Sequence, residues 1–264
     1  GAMTATRCPL DILIPVYNEG ENIYPALDAL GRSVKTPFRV LICYDFDEDS
    51  TLEALRRYAG APFEIVLVKN RGQGVHGAVV TGFEDSTAAA VSVMPADDDY
   101  NTSIIDEMYD KFRNGCDVVA ACRFMPGGCM EGCRWQKAVL VRASAFTLHV
   151  FAGLPTRDAS NGFRLFSRRL LDAVQIESAV GFTYSIELLV KCQRLGWKIC
   201  EVPALWFERK KGGSRFRILR WLPAYLRWYF YAFATTYFRR GPASVHLKRV
   251  VSPEENAPKL ESCE

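Results

Sequence analysis

The 264-residue sequence contains no run of about 18 uninterrupted apolar residues, so no helix is expected to cross a membrane. It lacks a strong charge of either sign. Its formal net charge of +3 does not by itself imply a nucleic-acid partner. The opening Gly1-Ala2-Met3-Thr4 has no basic-then-apolar leader, so no secretory signal is expected. Gly1-Ala2 reads as an expression scar and is left out of fold reasoning. Internal repeats are absent. The nine cysteines show no secreted disulfide framework, and reduced cysteines in a cytoplasmic protein are expected. Cys129-x-x-x-Cys133 has no second Cys or His pair at finger spacing, which argues against zinc.

What is present is a series of short apolar runs, several ending in acidic residues. Leu10–Ile14, Phe38–Cys43, Phe63–Val68, Ala88–Met94 and Asp117–Ala121 read as strands. Helical patterns separate them: Ile23, Leu27 and Leu30; Leu52, Leu55 and Tyr58; Val75–Phe83; then Ile104, Ile105, Met108 and Phe112. This alternation predicts an α/β fold with a parallel sheet covered on both faces. Such sheets bind ligands outside the carboxyl ends of their strands, where strand order switches. The runs ending at Asn18, Asp49 and Asp99 therefore predict one polar site.

Beyond about residue 122 the rhythm breaks. Residues 136–151 read as helix, Asn161–Phe166 as a turn and strand, Phe182–Leu195 as helix and Trp197–Val202 as strand. Glu208–Arg217 reads as a basic loop. The domain is expected over 4–216 and an aromatic, basic helical segment over 217–240. In that segment Trp221, Tyr225, Trp228, Tyr229 and Phe233 lie near helical spacing among Arg217, Arg220, Arg227, Arg239 and Arg240. It suits either a membrane surface or packing against the domain. A polar tail over 241–264 is expected to be disordered.

Gly72-Gln73-Gly74-Val75-His76-Gly77 spells a dinucleotide fingerprint, G-x-G-x-x-G, opening a helix. Lys69-Asn70-Arg71 separates it from the strand, and it follows the third strand instead of the first, which argues against that reading. Asp97-Asp98-Asp99 fits either charges near a helix start or ligands for a hard divalent cation.

Ordered motifs resemble the inverting family-2 glycosyltransferases of the GT-A fold. Pro15-Val16-Tyr17-Asn18-Glu19 resembles the family's P-x-Y-N-E opening, and Tyr44-Asp45-Phe46-Asp47-Glu48-Asp49-Ser50-Thr51 its D-D-x-S-x-D-x-T segment. Asn70-Arg71-Gly72-Gln73-Gly74 resembles N-x-G-x-G, and Val93-Met94-Pro95-Ala96-Asp97 resembles V-M-D-A-D. Ala121–Gly128, Asp158-x-x-Asn161-Gly162-Phe163-Arg164, Gly181-Phe182 with Glu187, and Glu201-Val202-Pro203 continue the pattern. Arg209-x-x-x-Gly213-Ser214-Arg215-Phe216 is similar to its basic acceptor loop. The branch most resembled is that of dolichol- and polyprenyl-phosphate mannose synthases. Two positions depart: the first Asp of D-x-D is Pro95, and that of D-D-x-S is Tyr44.

The resemblance implies a GT-A, Rossmann-like, mostly parallel sheet flanked by helices, with a C-terminal amphipathic helical appendage. It implies inverting transfer of a sugar from a nucleotide-diphosphate sugar to a polyprenyl phosphate, assisted by Mg²⁺ or Mn²⁺, with GDP-mannose the first guess for donor. Asp97, Arg123 and Asp158 would be catalytic. Pro15, Tyr17, Asn18, Glu19, Asp45, Asp47, Arg71, Gly74, Ala96 and Asp97 would bind the nucleotide sugar. Arg123, Asn161, Arg209, Ser214 and Arg215 would bind the acceptor, and Asp97, Asp98 and Asp99 the metal. Asp158 is the expected base if the acceptor is a hydroxyl. Alternatives are the same fold acting on a soluble acceptor, and a non-catalytic nucleotide-sugar scaffold. Expected partners include a membrane surface, a membrane protein or a second copy of the chain, but no nucleic acid. The expected location is cytoplasmic, peripheral at the membrane.

Overall fold

The computed structural model describes residues 8–133, 135–207 and 218–248, with the side chains of 218–221 outside the description. The first half alternates strand and helix. β1 (Leu10–Pro15), α1 (Tyr24–Ser33), β2 (Phe38–Tyr44), α2 (Ser50–Arg57) and β3 (Glu64–Lys69) are followed by α3 (Gly74–Asp85) and β4 (Ala90–Val93). α4 (Ile105–Arg113) and β5 (Val118–Cys122) complete that half. The second half holds β6 (Cys129–Glu131), α5 (Trp135–Val150), β7 (Arg164–Ser167), α6 (Arg168–Ala173), α7 (Thr183–Arg194), β8 (Ile199–Pro203), β9 (Leu205–Phe207) and α8 (Ile218–Tyr237).

Seven strands form one sheet in the order β3-β2-β1-β4-β7-β5-β8. All pairings are parallel except those of β7, which runs antiparallel to β4 and β5. β1, β4, β5 and β7 are almost wholly buried, as strands covered on both faces must be. One face packs Leu13, Val79, Phe83 and Phe166 with α3 and α7; the other packs Ile12, Leu27, Leu30, Ile105 and Met108 with α1 and α4. Strand order reverses at β1, so the β1 and β4 ends flank a switch point.

The seven sequence-predicted strands lie within a few residues of their expected places. β6 and β9 were not expected. They form a separate parallel ribbon, too short to show a period. Three further points bear on expectation: the first and third correct it, and the second shows one of the two readings left open. First, Cys116 and Cys200 form a disulfide, whereas reduced cysteines were expected. They are 84 residues apart, and only the pairing of β5 with β8 brings their Cα atoms to 6.0 Å. Second, the aromatic segment packs on the domain along one face: Trp228 and Ala232 of α8 are buried against α7. Third, the chain does not leave the domain at Gly241. Gln175 donates its backbone N–H to the His246 carbonyl, Lys248 donates to Ala173, and Val245 is buried.

Deep in the second half, Lys191 and Glu187 are both fully buried on α7 at 2.7 Å. Glu187 also accepts the backbone N–H groups of Glu177 and Ser178, at 2.7 and 2.8 Å. A buried pair that saturates its donors and acceptors in this way fixes a loop more than it adds stability. Here it sets the turn that enters α7.

Candidate active site

The site begins where β1 ends. Asn18 takes a left-handed φ of +52°, a conformation its short amide tolerates. Its backbone N–H donates to Asp49 Oδ2 at 3.0 Å, and its side-chain oxygen accepts from Ser50 N at 3.1 Å. The other oxygen of Asp49 caps α2 through Thr51 N at 2.8 Å, and Thr51 Oγ1 accepts from Glu19 N at 3.0 Å. The Pro15–Glu19 turn and the start of α2 are thus one hydrogen-bonded unit. Tyr17 stands exposed with its ring 5.5 Å from that of Phe46, edge to face, an apolar surface at the mouth. Asp49 was not among the expected binding residues. Its signal was the Asp-Ser-Thr helix-cap pattern.

Asn70 organises the next loop. It donates to Asp45 Oδ1 at 2.7 Å and to the Gly74 carbonyl at 3.1 Å, and accepts from Gly72 N at 2.7 Å. Gly72 and Gly77 touch backbone to backbone: a Cβ on Gly77 would lie 2.9 Å from Gly72 Cα and 2.9 Å from Asn70 Oδ1. These glycines therefore serve a close turn that positions Asn70 and Asp45. Gly74 opens α3 with φ +61°. Asp47 pairs with Lys69 at 2.6 Å on the exposed rim. Arg71 departs from expectation: it pairs with Glu84 and Asp85 in the last turn of α3 and is not brought to the strand ends. In the first turn of α3 His76 is buried, its Nε2 2.8 Å from Ser178 Oγ, and burial lowers its pKa.

After β4 the chain runs Pro95-Ala96-Asp97-Asp98-Asp99 with alternating exposure. Asp97 and Asp99 are exposed; Ala96 and Asp98 are buried. Asp98 accepts from Asn101 N at 2.9 Å and Asn101 Nδ2 at 2.7 Å. Asn101 in turn exchanges hydrogen bonds with both backbone groups of Leu205. Burial pushes the Asp98 carboxyl up to about 6. Asp98 thus anchors β9, which corrects its expected place among the metal ligands. Pro95 offers no side-chain donor. Among the described residues no three His, Cys, Asp or Glu side chains gather closely enough to hold an ion alone. Asp97 and Asp99, two residues apart on the open side, suit a Mg²⁺-type ion, which binds one or two carboxylates and completes its shell with water and phosphate oxygens.

Across the sheet, beyond β5, Arg123 meets Asp158. Nε donates to Oδ2 at 2.7 Å, Nη2 to Oδ1 at 2.8 Å, and the Arg123 backbone N–H to Oδ2 at 3.0 Å. Nη2 also donates to Ser160 Oγ at 2.9 Å, and Nη1 lies 3.8 Å from Met130 Sδ. A guanidinium has five N–H donors, and the acceptors among the described residues take four of them, the fifth being on Nη1. Asp158 is fully buried, and its carboxylate holds Arg123 in place; the expected role of free base does not suit it. Arg164, also fully buried, donates to the carbonyls of Asp158 and Ser185. Burial lowers its pKa to about 10. Asn161 is spent on backbone: it donates to the Ala121 carbonyl at 2.9 Å and accepts from Phe163 N at 3.1 Å. It therefore shapes the loop instead of offering a free contact. Arg209, Ser214 and Arg215 lie outside the described residues.

Comparison with known proteins agrees with this layout. The chain is 22% identical over 230 residues to a dolichol-phosphate mannosyltransferase of Pyrococcus furiosus, covering 83% of this chain and 64% of that protein. The chain therefore spans just under two thirds of that relative. It is 25% identical over 211 residues to a polyprenol monophosphomannose synthase of Mycolicibacterium smegmatis, covering 77% and 79%. The fold is shared with glucosyl-3-phosphoglycerate synthase of Mycobacterium tuberculosis, solved with Mn²⁺, UDP and glucosyl-3-phosphoglycerate. The TM-score is 0.61 at 17% identity, covering 88% of this chain and 80% of that one. The sequence model of glycosyl transferase family 2 matches residues 11–175. With its strand ends, the capped loop after β2 and the acidic turn after β4 in the family's order, the chain belongs to glycosyl transferase family 2.

Proposed function

We propose that the protein transfers a sugar, with inversion, from a nucleoside diphosphate sugar to a polyprenyl phosphate, mannose from GDP-mannose being the first donor to try. The observation that carries the acceptor choice is the Arg123–Asp158 pair. A hydroxyl acceptor needs a base to take its proton. Asp158, at the position where that base would stand, is buried and already bonded through both oxygens. A phosphate monoester is largely ionised near neutral pH and attacks without such help. The named relatives, which include a dolichol-phosphate and a polyprenol enzyme, support the same reading.

In this reading the nucleoside lies against Tyr17 and the Pro15–Glu19 turn, with Asp45 held ready by Asn70. Asp97, joined by Asp99, would hold a Mg²⁺ or Mn²⁺ ion. When bound, the ion would offset the charge of the leaving diphosphate. Arg123 would offer its remaining Nη1 hydrogen to the acceptor phosphate, and Arg209 and Arg215 would add guanidinium donors suited to phosphate.

The test incubates the protein with radiolabelled GDP-mannose, a short-chain polyprenyl phosphate and Mn²⁺, then partitions the product. Label in the organic phase, with an anomeric configuration opposite to the donor's, is expected. Label confined to water would mean a soluble acceptor. Nucleotide binding without turnover, under any donor, would mean a scaffold.

A further inference from the structure

The β6–β9 ribbon stands outside the main sheet and is fastened to both halves of the candidate site. One end is tied to the acidic turn after β4. Asn101, held by Asp98, donates from Nδ2 to the Leu205 carbonyl at 2.8 Å and accepts from Leu205 N at 2.8 Å. Tyr100, next to Asp99, sets its ring edge to face with that of Phe207 at 5.1 Å. The other end is tied to the segment that carries Arg123. Ala204 N donates to the Cys122 carbonyl at 2.9 Å, and Cys129 N donates to the Ala204 carbonyl at 3.0 Å. Gly128 permits this fold-back, because a Cβ there would lie 2.5 Å from the Cys122 carbonyl oxygen.

One face of the ribbon is turned to Arg123. Met130 Sδ lies 3.8 Å from Arg123 Nη1. Met130 and Trp206 are register partners, and partners across a ladder share a face. Trp206 therefore stands beside Met130 on the Arg123 side. Both are half-buried, and Lys137 Nζ lies over the indole at 4.9 Å. That face of the ribbon offers a thioether and an indole, and no carboxylate.

The chemistry of transfer says what must lie between the two ends. The bond from the anomeric carbon to the donor diphosphate breaks, its electron pair leaving with the diphosphate oxygen, as an acceptor oxygen bonds the same carbon. The sugar must therefore span from the diphosphate at Asp97 to the acceptor at Arg123. The ribbon is fastened beside both.

We infer that the β6–β9 ribbon walls the donor-sugar pocket and that Trp206 is a sugar-selecting residue, its indole and the Met130 thioether packing against the C–H side of an uncharged hexose ring. This rests on the sugar transfer proposed above and adds which residues read the sugar. An indole brings a large apolar surface with one polar handle, and its Nε1–H suits a ring hydroxyl.

The test separates sugar from nucleotide. Calorimetric titration of the full chain with Mn²⁺ compares GDP with GDP-mannose, or UDP with UDP-glucose if uridine is the preferred base. Trp206→Ala should weaken the nucleotide sugar by at least about tenfold, the scale of an apolar group lost from a pocket, while the free diphosphate keeps its affinity. Trp206→Phe, which retains an aromatic face, should recover most of the loss. In transfer, Trp206→Ala should raise the donor KM more than it lowers kcat, and should narrow the preference for the best donor over its epimers. Should Trp206→Ala melt far below the wild type, Met130→Ala carries the same comparison, with the same sugar-selective loss expected. Equal weakening of diphosphate and nucleotide sugar, or no weakening of either, overturns the wall. Transfer to polyprenyl phosphate with epimer preference unchanged in Trp206→Ala overturns the role of Trp206 and spares the proposed activity. Label confined to water, with the sugar-selective loss still seen, supports the wall and counts against the lipid acceptor.

Discussion

Asp158 accepts from Arg123 at both carboxylate oxygens, 2.7 and 2.8 Å, from a fully buried position, so the acid and the cation neutralise each other before substrate arrives. The Arg123 side chain is only 9% exposed. Breaking a buried pair by removing one partner typically costs about 3–5 kcal/mol. Asp158→Asn is therefore expected to lower stability by that order in urea unfolding. It should also reduce transfer by on the order of 10²-fold through misplacement of Arg123. Loss of transfer in Asp158→Asn with unchanged stability would instead restore the base role.

The three aspartates after β4 should separate by experiment. Asp97→Asn is expected to abolish the metal-dependent part of a UDP or GDP thermal shift with little change in the ligand-free midpoint. Asp99→Asn should weaken it. Asp98→Asn should instead lower the ligand-free midpoint, because Asp98 holds Asn101 and through it Leu205. Pro95→Asp adds a carboxylate beside Asp97 and should lower the Mn²⁺ concentration needed for the shift. Equal behaviour of all three Asp→Asn variants would refute the division of labour.

Gly77→Ala would push a methyl against Gly72 Cα and Asn70 Oδ1, each 2.9 Å away. Overpacking of this kind costs about 1–3 kcal/mol. Because Asn70 also holds Asp45, nucleotide affinity should fall together with stability. Calorimetric titration with the preferred nucleotide checks the coupling; unchanged affinity would free Asp45 from Asn70.

His76 carries the pH prediction. Burial lowers its folded pKa below the ordinary value of 6.5, so the folded protein binds fewer protons there than the unfolded chain. Stability from this group is complete above pH 6.5 and is lost as pH falls through the lower, folded value. Urea midpoints should drop as pH falls from 6.5, and His76→Gln, which keeps a polar group toward Ser178, should flatten that slope.

Much of this was legible in the chain. From Ile12, Val40 and Val118 onward the first, second and fifth runs are apolar on both faces, as parallel strands must be, and they declare themselves without tertiary context. Pro15–Glu19 and Asp97 were placed correctly at strand ends because the fold rule is topological. What escaped was partnership at a distance. Nothing near Arg71 says that Glu84 and Asp85 claim it, and nothing in Asp97-Asp98-Asp99 says which residue turns inward. That is decided by Asn101 and Leu205. Cys116 and Cys200 pair because β5 and β8 are neighbours, a fact of sheet order, not of spacing. The exposed Trp135, Val139, Phe146 and Val150 of α5 were hidden because the side with Ala145 and Leu148 is apolar too, which cancels the periodic signal.

β7 lies between β4 and β5 in the sheet, yet follows both in the chain. A ribosome releases β4 and β5 before the strand that joins them exists. Both sheet partners of β5, β7 and β8, also follow it in the chain, so β4 keeps an open edge and β5 has no partner strand until residues 164–167 emerge. Asp158, Asn161 and Arg164 arrive on that same stretch. The Arg123–Asp158 pairing and the joining of β5 to β4 are thus one event in assembly, and slow passage of the chain at that point would prolong the interval in which those edges can pair with the wrong strand.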